Sequence, residues 1–119
     1  MYRAEFVVTE NGKKPFQGFV ESLSEDEQSE IFASIDKLCE LLSQRVRLPE
    51  KFSKYMGDGI FELKVSHLNR TSRSFYFYIK DKTIVFTHGF IKKKQRTPSN
   101  EIKKAINLRE IYLKINEVI

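Results

Sequence analysis

The sequence predicts an α+β domain: a small antiparallel sheet with two N-terminal helices on one face and a C-terminal helix, in the order β-α-α-β-β-β-α. Three observations lead there. Two helical stripes of apolar residues lie between residues 15 and 43. Three β-branched and aromatic runs follow between 61 and 90, joined by links short enough for hairpins. A final stripe of helical period begins at Thr97-Pro98.

Taken in order, residues 2–9 (YRAEFVVT) alternate loosely and read as a first strand, and Asn11-Gly12 marks a turn. Pro15 suits the first position of a helix. Phe16, Phe19, Val20 and Leu23 then recur at helical spacing. Ser24 opens the next helix, with Glu27 three residues on completing a capping box, and Glu25 and Asp26 suiting the positive end of the helix dipole. Ile31, Ile35, Leu38 and Leu42 form its apolar stripe, beside which Cys39 reads as a small buried hydrophobe. Residues 44–59, with Pro49, Gly57 and Gly59, read as an irregular connection. FELKVSH (61–67), SFYFYIK (74–80) and TIVFTHGF (83–90) read as strands of an antiparallel meander. Thr97-Pro98 caps a helix whose apolar face holds Ile102, Ala105, Ile106, Tyr112 and Leu113.

The 119 residues suffice for one core, and the expectation is a single domain over 1–119. A hydrophobic fraction of 40% argues against wholesale disorder. One cysteine excludes an internal disulfide and a thiolate metal cage. No apolar run reaches the ~20 residues of a membrane span. The start MYRAEFVV lacks the basic and long apolar stretches of a secretory signal, so a cytoplasmic location without membrane association is expected.

The net charge of +5 is unevenly placed. Residues 1–61 carry 8 Lys/Arg against 11 Asp/Glu, and residues 62–119 carry 13 against 5. A basic half this pronounced points to a polyanion-binding face. The plainer alternative is that these lysines merely solvate a surface. The basic residues concentrate where IVFTHGFIKKKQRTP (84–98) delivers His88 and then Lys92, Lys93, Lys94 and Arg96 to the end of a strand.

In FELKV, Phe61, Leu63 and Val65 alternate with Glu62 and Lys64, so the charged pair is expected on the sheet surface away from the two N-terminal helices, which would remain open. Arg73 is expected at the mouth of the next strand and Arg70 in the link before it. Converging, Glu62, Lys64, Arg73, His88 and the lysines would suit metal-independent RNA cleavage, in which a ribose 2′-OH attacks the adjacent phosphodiester. Histidine, glutamate or a lysine of depressed pKa can trade protons, and cations can steady the phosphorane. Arg70, Lys94 and Arg96 would add RNA contacts. Neither a cofactor nor a metal is called for. Other readings stay open: His88 as a core histidine, Glu62 as one half of a cross-strand ion pair, and Tyr76 and Tyr78 as packing rather than base-stacking groups. His67, at a strand end, reads as a surface residue.

GIFELKV (59–65), RSFYFY (73–78) and IVFTHGFIKKKQRTPSNEIKKA (84–105) together resemble the RelE/ParE toxin superfamily, and within it the HigB-like, phage-derived branch. The resemblance covers about half the chain. It implies a RelE-like fold and a toxin of a type II toxin–antitoxin pair, cutting mRNA in the ribosomal A site against ribosomal RNA and restrained by an antitoxin, often a helix-turn-helix protein. It places Lys64, Arg73, His88, Lys92 and Lys93 at the family's basic and histidine positions. One departure stands out. The branch commonly has Glu-Leu-Arg where this chain has Glu62-Leu63-Lys64, and a lysine cannot grip phosphate with two prongs. The alternative implied function is a non-catalytic or ParE-like toxin acting on nucleic acid or gyrase.

Overall fold

The computed structural model describes residues 1–93 and 96–117. Its elements are β1 (Arg3–Phe6), α1 (Pro15–Glu21), α2 (Glu25–Ser43), β2 (Ser53–Gly57), β3 (Ile60–His67), β4 (Arg70–Ile79), β5 (Thr83–Ile91) and α3 (Ser99–Ile115). The five strands form one sheet in the order β1-β5-β4-β3-β2. It is antiparallel throughout except that β1 runs parallel to β5, with Arg3 opposite Thr83 and Phe6 opposite Phe86. The α+β architecture is the one the sequence predicts, with two corrections.

First, the supposedly irregular stretch 44–59 contains a strand. β2 joins β3 through a two-residue turn in which Asp58 and Gly59 both have positive φ (53° and 78°). That backbone twist matches the twist of the strands it connects, and Asp-Gly adopts it at little cost. Second, the link between β3 and β4 is only Leu68-Asn69, because β4 already begins at Arg70. Arg73 therefore lies inside a strand, opposite Lys64, rather than at its mouth.

The helices form where their sequence signals stand. Pro15 occupies the first turn of α1. At α2 both halves of the capping box are made: the Ser24 hydroxyl accepts from the Glu27 amide at 3.2 Å, and Glu27 Oε1 accepts from the Ser24 amide at 3.2 Å. Pro98, and not Thr97, is the N-cap of α3, and it makes no side-chain capping bond.

Two apolar layers sandwich the sheet. On one face Phe16 and Val20 of α1 and Ile31, Ile35 and Leu38 of α2 pack onto Leu63, Val65, Tyr76, Ile84 and Phe86. Burying each large apolar side chain contributes roughly 1.5–3 kcal/mol, which fixes these helices to the sheet. On the other face Ala105, Leu108 and Tyr112 of α3 cover Ile60, Phe75, Phe77 and Val85. The face expected to stay open is thus largely roofed by α3. Tyr76 is core, its hydroxyl 2.5 Å from that of Ser53, and it does not offer a base-stacking surface.

Candidate functional site

The α3-facing side of the sheet carries a row of charge near the ends of β3, β4 and β5. Lys64 on β3 stands opposite Arg73 on β4, and Arg73 stands opposite Phe90 on β5. Lys92 follows two residues later, its amide donating to the Thr71 carbonyl at 2.8 Å. Lys54 on β2 lies opposite Glu62. The convergence of Lys64, Arg73 and Lys92 expected from the three strand runs is therefore present. Lys93 is exposed beside it.

Glu62 is not on an open surface. It is 0% exposed, beneath the start of α3. The Arg73 guanidinium donates to its Oε1, and the Thr97 hydroxyl donates to its Oε2 at 2.7 Å. Arg73 is itself only 4% exposed and also approaches Thr97 Oγ1 at 3.5 Å, while its Nε has no partner among the described residues. The ion-pair reading of Glu62 is the one the geometry matches, with Arg73 as partner. A carboxylate so enclosed and so bonded is placed to position an arginine, not to shuttle protons.

His88 also departs from the expected place. Between Ser74 and Tyr76 the register with β5 shifts, so Thr87 and His88 occupy a bulge and both are buried. The His88 ring, 2% exposed, packs against Phe75 with centroids 5.3 Å apart. Its Nε2 lies 3.0 Å from Glu101 Oε1 and its Nδ1 lies 3.2 Å from Thr87 Oγ1. Burial pushes its pKa below the ordinary histidine value, and the Lys104 charge adds to this against the bond from Glu101. A neutral ring carrying its proton on Nε2 fits these contacts, donating to Glu101 and accepting from Thr87. His88 ties β5 to the first turn of α3 rather than presenting itself at a rim.

Lys64 is the titratable group the geometry favours. Burial lowers its pKa, the charges of Arg73, Lys54 and Lys92 push the same way, and Glu62 opposes them. Arg70 is drawn elsewhere. Its guanidinium grips Glu27 through two bonds of 3.0 and 3.1 Å at the start of α2, away from Arg73. Arg96 is exposed, and Lys94 lies outside the described residues. Among the described residues no three His, Cys, Asp or Glu side chains converge in a way that could hold a metal ion, and no helix is long and apolar enough to cross a membrane.

Thr97, Glu101 and Lys54 were not singled out from sequence. In the sequence Thr97 reads as a helix cap, whereas its hydroxyl serves a carboxylate 35 positions away. Glu101 looks like any acidic residue in a first helical turn, and only the tertiary fold sets it on His88. Lys54 was hidden because its strand was.

No curated protein sequence matches the chain. A sequence family does, over residues 18–110, from within α1 to within α3, which takes in every strand of the charged row. By that match the chain belongs to the family described as phage-derived protein Gp49-like (DUF891).

Proposed function

We propose that this protein is the toxin of a type II toxin–antitoxin pair and that it cuts mRNA on the ribosome without a metal. The observation that carries the reading is the row of Lys64, Arg73 and Lys92 across three adjacent strands, with Lys64 held toward its neutral form among other cations. Membership of a phage-derived family and the RelE/ParE-like motifs support it.

In the proposed reaction the neutral Lys64 amine accepts the proton of a ribose 2′-OH. The 2′ oxygen then forms its bond to phosphorus, and the bond from phosphorus to the 5′ oxygen breaks. Lys92 or Lys93 donates a proton to the leaving 5′ oxygen. The products are a 2′,3′-cyclic phosphate and a 5′-hydroxyl. Proton transfer of this kind contributes about 10²–10⁴-fold. The lysine charges stabilise the pentavalent phosphorane. Arg73 lies beneath, bonded to Glu62 and near Thr97, and its charge beside Lys64 helps to lower the pKa of that amine, against the opposing charge of Glu62.

The proposed partners are mRNA and ribosomal RNA in the ribosomal A site, and an antitoxin, often a helix-turn-helix protein in this group. Expression without that partner tests the reading. Growth should stop, and primer extension should reveal cut transcripts. Lys64→Ala and Lys93→Ala should each relieve both. Growth arrest with intact transcripts would overturn cleavage and favour a ParE-like action on gyrase.

A further inference from the structure

A groove of about 600 Å³ lies where β5 runs on past the end of β1, between the end of α1 and the start of α3. Its volume falls within the range of small-ligand sites. Phe19 and Phe90, both half-buried, line it, and so do Lys92, Lys93 and Glu101. Gly89 forms part of the wall, and a Cβ there would stand 2.5 Å from the Phe19 ring. That glycine allows the aromatic ring to lie directly against the strand.

The pairing pattern adds polar groups. Lys92 bonds to Thr71, and Phe90 stands opposite Arg73. Alternation along an antiparallel ladder then turns the peptide groups of Gly89 and Ile91 away from β4, toward the side where β1 has ended. One oxygen of Glu101 is held by His88, and the other has no bond among the described residues.

We infer that this groove is a nucleobase pocket, which seats one unpaired RNA base beside the scissile phosphate. The inference rests on the nuclease reading and deepens it. Half-exposed aromatic rings stack any base, and lysines at the rim take the flanking phosphates. A carboxylate is an odd companion for phosphates but a good acceptor for an amine. Glu101 therefore favours bases with an exocyclic amino group (adenine, cytosine, guanine) over uracil. Lys92 belongs both to the groove and to the charged row, so the base and the reacting phosphate are neighbours along one strand.

The test uses 2′-O-methyl tetranucleotides, which have no 2′-OH to attack with and so report binding alone. With the full chain, amide NMR should show shifts at Phe19, Gly89, Ile91 and Lys93. Oligo-A and oligo-C should bind about fivefold more tightly than oligo-U. Phe19→Leu should weaken every sequence about tenfold, the scale of one lost stacking contact. Glu101→Gln keeps an oxygen for His88 and swaps the second acceptor for a donor, so preference should turn toward uracil. A merely structural role for Glu101 would not reverse a base preference.

Shifts confined to Lys54, Lys64 and Lys92, with binding unchanged in Phe19→Leu, would overturn the inference while leaving cleavage intact. So would occupation of the groove by a protein partner that the oligonucleotides leave undisturbed. Base-selective binding in the groove with no transcript cut would uphold the pocket and remove the nuclease reading.

Discussion

Arg73→Met leaves the Glu62 carboxylate buried with Thr97 as its remaining partner among the described residues. Removing one half of a buried ion pair costs about 3–5 kcal/mol, because the other charge is left uncompensated. Glu62→Leu strands the guanidinium, whose Nε already lacks a partner among the described residues, and the expected cost is of the same order. Replacing both at once removes both buried charges, and such exchanges are often neutral, so the double variant should lose no more than ~1–2 kcal/mol. Unfolding entropy of ~2.1 cal/mol/K per residue over 119 residues gives about 0.25 kcal/mol/K. Each kcal/mol then moves Tm by ~4 °C. Scanning calorimetry should show either single variant melting about 12–20 °C lower and the double variant only ~4–8 °C lower. A double variant as unstable as the sum of the two singles would refute the idea that the charges exist for each other. The double variant also offers a folded protein from which the Arg73 charge has gone. Its ability to cut RNA then measures what the Arg73–Glu62 pair contributes as a unit to the proposed cleavage, because the Glu62 charge beside Lys64 has gone with it.

Thr97→Val keeps the side chain's shape and deletes the donor to Glu62. It should cost about 2 kcal/mol, typical of a hydrogen bond to a charged group, and a chemical-denaturation midpoint identical to wild type would contradict the assigned role. For Lys64→Arg, RNA binding should persist while cleavage falls by about 10²–10⁴-fold, since arginine holds the charge but does not give up its proton. Wild-type cleavage, set by neutral Lys64, should rise with pH and level off below the ordinary lysine value of 10.5; an undiminished rate in Lys64→Arg would rule lysine out as the base. Because the folded-state pKa of His88 is lowered, the unfolded chain binds the proton first as the solution is acidified. The stability held above pH 6.5 should therefore decline as pH falls from that value through the folded-state pKa, and urea melts of His88→Gln should lack that part of the slope. Equal slopes in the two proteins would assign the acid sensitivity to another group.

Much of the fold was legible because local and tertiary signals agreed. The Ser24–Glu27 box, Pro15 and the helical stripes all sit where the helices form. The three central strands combine residues that suit a pleated surface with short links. β2 was not legible. Ser53–Gly57 has neither a clean alternation nor an apolar run, and the Asp58-Gly59 turn signal stood next to a strand that looked like loop. The site divides in the same way. Cross-strand neighbours such as Lys64 and Arg73 follow once two strands are paired, so they could be anticipated. The burial of Glu62 and His88 could not, because it depends on where α3 folds back and on a one-residue bulge in β5. Arg70 reads from sequence as an RNA contact in the link just before Arg73. Only the docking of α2 reveals that its charge is spent on Glu27.

The parallel pairing of β1 with β5 has a bearing on how the protein is made. Arg3 must wait for Thr83, and the apolar sides of α1 and α2 have no sheet to rest on until β3, β4 and β5 exist. Contacts this distant along the chain slow folding, since a large loop must close before any of them is rewarded. A ribosome synthesising this polypeptide therefore releases most of it before the basic row is assembled. An interrupted copy that ends ahead of β5 lacks Lys92 and the strand that leads to it, so under the proposed function it would have no assembled row with which to harm the cell that produced it.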